Sequence, residues 1–287
     1  MPVLIALIPV VGGLVASLCW ASSSLLASRV SRTVTPWATL AWISIFGSLL
    51  ALPLLLTGPV PGPGDLREVA WLIASSLFSI AGLLSLYAAF RRGRVGLIAP
   101  ITSTEGAIAA VIAIAFGAVV SGLVVVALAV VVIGVVLTTA GQGIRLRDVL
   151  AGRGYLPLAI AAAVFFGISL YAAGVVSGDV PLAWLSAAPR LTGLVIIALP
   201  LLLLGRLGVP RRVLPYLLAA GAVEVIGIAA FGWGAAEGIA VAAVLASQVG
   251  LFVALISHPL GERLSRRQWA GVLIAGAGVA SVTVLSV

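Results

Sequence analysis

Charge is what this sequence has least of. Asp, Glu, Lys and Arg make up 8% of its 287 residues, where a soluble domain carries about 25%. Lysine is absent altogether, and all sixteen basic residues are Arg. Apolar residues reach 62% and the mean hydropathy is +1.30. No soluble fold can cover that much apolar surface, so the surrounding solvent must be lipid. This excludes a cytosolic enzyme, a nucleic-acid binder and a disordered chain. The net charge of +8 is no basic groove either, because the charges sit in short clusters between apolar runs. The single cysteine, Cys19, lies inside an apolar run, which excludes an intrachain disulfide and a Cys-based metal site. The single histidine, His258, sits beside Pro259, and neither it nor the scattered carboxylates form a metal-ligand cluster. No G-x-x-x-x-G-K-[ST], H-E-x-x-H or G-x-S-x-G motif occurs, and no acidic pair is spaced to hold Mg²⁺. An ATP-driven pump domain and the enzymes those motifs mark are therefore not expected, and no cofactor or metal is called for. Met1 to Val15 lack the basic n-region of a signal peptide, so the first apolar run is predicted to stay as a membrane helix.

A helix needs roughly 20 apolar residues to cross about 30 Å of hydrocarbon. Ten runs qualify: 4–27, 36–57, 70–90, 95–117, 119–140, 155–177, 182–204, 214–236, 239–258 and 269–286. They are continuous, unlike the alternating segments of a membrane barrel. Unpaired backbone is costly in lipid, so each run is predicted to be a helix. The fold class is thus an all-α integral membrane protein of ten transmembrane helices. Fourteen Arg fall in the odd-numbered loops: 29, 32, 91, 92, 94, 145, 147, 153, 206, 211, 212, 263, 266 and 267; only Arg67 falls in an even one. The positive-inside rule puts the odd loops in the cytoplasm and both termini outside, in a multi-pass protein of the cell membrane.

The sequence is also doubled. Ala51-Leu-Pro-Leu-Leu-Leu56 recurs as Ala198-Leu-Pro-Leu-Leu-Leu203, 147 residues on. Pro36 and Pro181 precede the corresponding runs, 145 apart, and the pairs Gly117/Gly261 and Gly134/Gly278 are both 144 apart. The near-constant offset divides a single membrane domain, 1–287, into a first repeat 1–140, a linker 141–154 and a second repeat 155–287. Five crossings per repeat force the halves into opposite orientations. Inverted repeats of this kind place a transporter's site near the bilayer midplane, at the repeat interface.

Pro259-Leu-Gly-Glu-Arg-Leu-Ser-Arg-Arg-Gln-Trp-Ala-Gly-Val-Leu-Ile-Ala-Gly-Ala-Gly278 resembles the Gly-Glu-Arg turn and glycine-rich helix of the drug/metabolite transporter superfamily, in particular its EamA-like branch. Ten helices in two five-helix repeats fit that architecture, and Pro100 in run 4 and Arg190 in run 7 fit its pattern. The first half departs from it: Gly117-Ala-Val-Val-Ser121 lacks the Glu-Arg pair, and Val244 stands where run 4 has Pro100. The resemblance implies a secondary transporter, not an enzyme. The superfamily spans amino acids, other metabolites and drugs.

An ionisable group at mid-membrane costs at least about 2.5–3.5 kcal/mol. Three sit near the centres of their runs: Glu105, Arg190 and Glu224. Glu105 has Thr102 one turn before it and Pro100 beyond, and Pro100 frees carbonyls in the preceding turn. Glu105 is read as a substrate-amine ligand or a proton-carrying carboxyl, against a carboxyl merely bonded to a neighbouring helix. Glu224 is flanked by small residues, Ala220, Gly221 and Gly227, which admit a helix or a substrate. Arg190 can bind a substrate carboxylate or pair with one of the two acids, and the structural pair is the preferred reading. Softer candidates are Trp20 and Ser22-Ser23-Ser24 in run 1, Tyr87 in run 3, Phe166, Ser169 and Tyr171 in run 6, Trp233 in run 8, and Ser247 and Gln248 in run 9. Aromatics with a polar handle suit amphipathic solutes, although Ser in such helices often bonds its own backbone. Trp37, Trp71 and Trp269 read as interfacial anchors. A central cavity between runs 1, 3, 4 and runs 6, 8, 9 is expected, partly from the resemblance.

The leading expectation is a secondary active transporter, an exporter of small organic metabolites by alternating access, with protons as the candidate coupling ion. Run 1 carries no acid, which favours neutral or zwitterionic solutes such as amino acids over cationic drugs. A cationic drug exporter and a non-transporting membrane scaffold are the alternatives. The expected partners are a small-molecule substrate, membrane lipids and protons, with no nucleic acid. Gly271, Gly276 and Gly278 can support internal packing or a weak homodimer, so a monomer or weak homodimer is expected.

Overall fold

The structure, a computed structural model, describes residues 2–59, 66–93, 95–118, 121–140, 154–257 and 266–285. Among them every regular element is a helix. In chain order these are α1 (Pro2–Val30), α2 (Pro36–Thr57), α3 (Leu66–Phe90), α4 (Val95–Thr102), α5 (Glu105–Ala115), α6 (Gly122–Ala140), α7 (Leu156–Val176), α8 (Leu182–Leu203), α9 (Leu214–Ala235), α10 (Ile239–Ala246), α11 (Val249–Ser257) and α12 (Arg266–Leu285). Six of them, α1, α2, α3, α7, α8 and α9, are long and apolar enough to span a bilayer. The linker 141–153, His258 and the segment 259–265, which holds Gly261 and the Glu-Arg pair, lie outside the described residues.

The local signals are ordinary ones. Thr35 caps α2 by accepting from Ala38 N–H at 3.2 Å, with Pro36 at the first helical position, where its missing N–H costs nothing. Gly58 ends the helix with its N–H on the Leu54 carbonyl at 2.8 Å. Trp37 and Trp269 are exposed at helix ends, as interfacial anchors would be.

Two of the ten runs do not fold as one helix. Run 4 breaks at Ser103–Thr104 and run 9 at Ser247–Gln248. Hydroxyls occupy the first break: Thr102 Oγ1 donates to the Ala99 carbonyl at 3.1 Å and Thr104 Oγ1 to that of Ile101 at 2.7 Å. In the second, Ser247 Oγ and Gln248 Nε2 both donate to the Val244 carbonyl, at 2.7 and 2.8 Å. The two breaks carry one spacing, Ser103-x-x-Gly106 and Ser247-x-x-Gly250, 144 residues apart. They also meet each other. Gly250 N–H donates to Ser103 Oγ at 3.1 Å, and a Cβ on Gly106 would overlap Ser247 Oγ and the Ala243 carbonyl.

A second crossing of this kind joins α2 and α8. Ser44-x-x-Gly47 and Arg190-x-x-Gly193 lie 146 apart. A Cβ on Gly193 would overlap Ser44 Oγ, and one on Gly47 would lie 2.7 Å from Arg190 Cδ. From Gly47 to Ala51 is one residue fewer than from Gly193 to Ala198, which moves the offset from 146 to 147. The extra residue falls where α8 widens into a π-helical turn, Leu194–Ala198, with Leu199 N–H on the Leu194 carbonyl. A π-turn is how a helix absorbs such an insertion.

Packing follows the same exchange. The most extensive contacts are α1 along α9, α6 along α12 and α3 along α7. Run 9 packs on α1 and run 4 on α7, while α9 touches α2 and α8 touches α3. The pair α6 and α12 stacks at the periphery, with Gly278 against the Val131 and Ala127 backbone. Small residues set these approaches: Gly12 lies against Ala230 and Gly234, and Gly13 against Ala242. Close backbone approach substitutes here for the hydrophobic driving force that lipid does not supply.

Candidate functional site

A partly open cavity in the bundle holds about 650 Å³ of space between atoms, lined by residues that include Trp20, Ser24, Ser79, Thr102, Glu105, Phe166, Ser169, Arg190, Glu224 and Val249. The lining comes from α1, α3, α4, α5, α7, α8, α9 and α11. All three mid-run charges are therefore brought to one cavity. Run 8 and run 7 contribute as neighbours, and run 7 joins the set expected from sequence.

Each charged group reaches the cavity for a local reason. Glu105 is the first residue of α5, directly after the break, so it sits among N–H groups that have no helical acceptor. A carboxylate is favoured at that position. Glu224 is 7% exposed and Arg190 2% exposed. Ser23 Oγ donates to Glu224 Oε1 at 2.8 Å, and Arg190 Nη2 donates to Glu224 Oε2 at 3.5 Å. The hydroxyl bond is of normal length and the guanidinium bond is long. Arg190 Nε and Nη1 have no partner among the described residues. The pair is thus buried but loosely closed. Removing one partner of a buried pair typically costs about 3–5 kcal/mol, because the other is left unpaired.

The walls between the charges are apolar and aromatic. Trp20 lies 6.1 Å from Phe231, centroid to centroid. Gly227 leaves the space its indole occupies, since a Cβ there would lie 2.7 Å from Nε1. Phe166 packs on bare Gly82, and Gly167 admits Ile108. Leu83, Leu86, Leu170, Pro189 and Ile228 complete the lining.

Of the softer candidates, Trp20, Ser24, Phe166 and Ser169 line the cavity, as does Thr102 beside Glu105. Ser169 Oγ is committed to the Ser75 carbonyl at 2.8 Å. Ser23 supports Glu224 from behind. Tyr87 is buried at 1% exposure with an unpartnered hydroxyl, but it is not a lining residue. Ser247 and Gln248 are buried in the α10–α11 break, and Gln248 Oε1 is unpartnered. Two candidates lie elsewhere. Tyr171 packs against Trp71 at 5.8 Å and Phe116 at 5.6 Å. Trp233 turns outward at 44% exposure. Ser79, Leu83 and Leu86 of α3 also line the cavity, beyond the residues the sequence marks. The signal was the Ser75, Ser76, Ser79 cluster in an otherwise apolar run, with Ser75 and Ser79 one turn apart on one face. Among the described residues no group of His, Cys, Asp and Glu is placed to hold a metal ion.

These elements make a multi-pass helical membrane protein with a charged, partly open cavity among its helices. Residues 7–140 match the EamA-like transporter family, a family of the drug/metabolite transporter superfamily. The match falls on the first half, the half without the Glu-Arg turn. No curated protein matches the chain. A solved structure titled only "Crystal structure of protein" superposes with a TM-score of 0.71 at 19% identity, covering 97% of each chain, which speaks for the fold alone.

Proposed function

We propose that the protein is a secondary active carrier that exports small neutral or zwitterionic organic solutes, amino acids among them, by alternating access. The observation that carries this reading is the convergence of Glu105, Arg190 and Glu224 on one cavity walled by helices from both sequence halves. Charges in such a place are costly, and function is the ordinary reason they persist. The proposed frame is ten transmembrane helices in two inverted five-helix repeats. It is supported by the reciprocal Ser-x-x-Gly contacts and by a packing pattern unchanged when the halves are exchanged. Broken helices at the midplane are a recurrent feature of such carriers. In this frame the Arg-rich odd loops face the cytoplasm and both termini lie outside the cell membrane.

Protons are the proposed coupling ion and Glu105 the coupling residue. Its position at the start of α5 gives the carboxyl a helix terminus on one side and the cavity on the other. Glu105→Gln keeps the shape and removes the titration. In proteoliposomes it is expected to abolish the pH dependence of solute transport while the purified protein keeps its melting temperature. An unchanged pH profile in Glu105→Gln would make Glu105 a packing residue and remove the coupling assignment.

A further inference from the structure

Arg190 is the most deeply buried of the cavity's three charges, and its guanidinium is poorly partnered. A guanidinium carries five N–H donors, and here only Nη2 reaches an acceptor, at 3.5 Å. Nε and Nη1 reach none among the described residues, in a residue that is 2% exposed. Buried unpaired donors are costly, so the position is held for a purpose other than stability.

The chain is shaped to keep it there. At the matching place in the first half stands Ser44, small enough for Gly193 to pass over it. In the second half the same place is taken by Arg190, and bare Gly47 across the crossing accepts the Arg stem, since a Cβ there would lie 2.7 and 2.9 Å from Cδ and Cγ. The π-turn begins four residues further on. One side of a near-symmetric crossing has thus been given a cation, room for its stem and a locally widened helix.

We propose that Arg190 is the receptor for a carboxylate on the transported solute, and that Glu224 is the resident counter-ion that holds the guanidinium while the cavity is empty. This rests on the carrier reading above. Nε–H and Nη1–H, unpartnered and closed to solvent in this state, turn to the solute's carboxylate when it binds, the ligand that a planar guanidinium fork matches best. The long bond to Glu224 yields, and Glu224 keeps its 2.8 Å bond from Ser23. The acceptor is a monoanion. One Arg faces two acids in this cavity, Glu105 and Glu224, so a dianionic phosphate would meet excess negative charge. The body of the solute is apolar, because Trp20, Leu83, Leu86, Phe166 and Ile228 supply the remaining wall. An ammonium group, where the solute has one, faces Glu105.

The test uses the full chain in lipid nanodiscs and three probes of matched shape: L-leucine, its methyl ester and 4-methylpentanoate. Leucine and 4-methylpentanoate are expected to raise the melting temperature, by mass action on the folded state, and the ester is not. Glu224→Gln removes the competing carboxylate and is expected to bind both carboxylates about fivefold more tightly or better. Arg190→Gln alone leaves Glu224 buried without its cation and can fail to fold, so the loss of carboxylate response is read in the Arg190→Gln/Glu224→Gln pair, with Arg190→Lys keeping a weakened response. An ester as effective as leucine, a double variant that still responds, or silence from all three probes overturns the proposal. Counterflow of a broad solute panel in proteoliposomes separates the two failures. Transport that persists without carboxylate preference removes only the receptor assignment, whereas absence of any transport removes the carrier reading as well.

Discussion

In α4–α5 the backbone is interrupted three residues after a proline; in α10–α11 it is interrupted with no proline nearby, Val244 standing where the first half has Pro100. The two interruptions share instead a Ser-x-x-Gly spacing and a reciprocal contact, with Gly250 N–H on Ser103 Oγ and Gly106 against Ser247. The α10 helix could run on through Ser247 by propensity alone, since nothing in Ala246-Ser-Gln-Val249 forbids it. What stops it is the other broken helix. Close approach at the two glycines and a hydroxyl that accepts an otherwise unmatched N–H favour two short helices over one long one. The comparison shows a backbone feature fixed by tertiary contact in one half and merely assisted by a proline in the other. It also separates the halves. Helix α5 packs closely along α10, whereas α4 and α11 touch more sparingly, and Thr102 and Val249 at their facing ends line the cavity.

The strongest way to break this comparison is to fill the crossing. Gly106→Ala puts a Cβ into the Ala243 carbonyl and Ser247 Oγ; backbone cannot give as a side-chain end can, so the loss is expected near the top of the overpacking range, about 3 kcal/mol. Gly122→Ala, at a helix start with nothing within 4 Å, serves as the control and is expected to be neutral or slightly stabilising. Thermal unfolding of the detergent-purified protein reads both. Equal effects would mean that the crossing is not tight in solution.

Next in size is the hydroxyl. Ser103→Ala leaves Gly250 N–H buried without its acceptor, for about 1–2 kcal/mol. Ser247→Ala removes only a bond to the Val244 carbonyl, which keeps Gln248 Nε2 at 2.8 Å, so a loss of at most a few tenths of a kcal/mol is expected. The same melts measure them. A reversed order would put the determinant of the break in the Ser247 turn itself.

Much of this was legible in the sequence, for reasons that also explain what was not. Run length against bilayer thickness gives helices directly, and the cost of charge in lipid singles out Glu105, Arg190 and Glu224 before any geometry is known. Serine is poor evidence by comparison. Ser22 bonds its own helix at the Leu18 carbonyl while Ser23, one residue on, bonds Glu224, and composition does not tell them apart. Trp233 and Tyr171 each carry an aromatic ring with a polar handle. That chemistry suits a cavity, but which way a ring points depends on helix rotation, and a run that is apolar on all sides carries little record of it. The break at Ser247–Gln248 left no mark in its own run, and only the other half's Ser-x-x-Gly, at the same spacing, could have disclosed it.

The smallest expected effect is the most discriminating. If the crossing sets both breaks, Pro100 is dispensable for the first, because Val244 already shows that the second forms without its counterpart. Pro100→Ala restores one N–H, which can then seek the carbonyl four residues back. That gain favours continuity locally, by something on the order of 1 kcal/mol. Against it stand the Ser103–Gly250 bond and the packing of Gly106, both of which a continuous helix would lose. The expected outcome is a break that persists and a melting temperature within about 2–4 °C of the parent, the scale of a 1 kcal/mol change in a chain of this size. The measurement is a spin-label distance across Ser103–Thr104, compared between parent and Pro100→Ala. A distance that lengthens toward the 1.5 Å rise per residue of an unbroken helix would show that proline, not the crossing, interrupts run 4, and the likeness between the two broken helices would then rest on two separate causes.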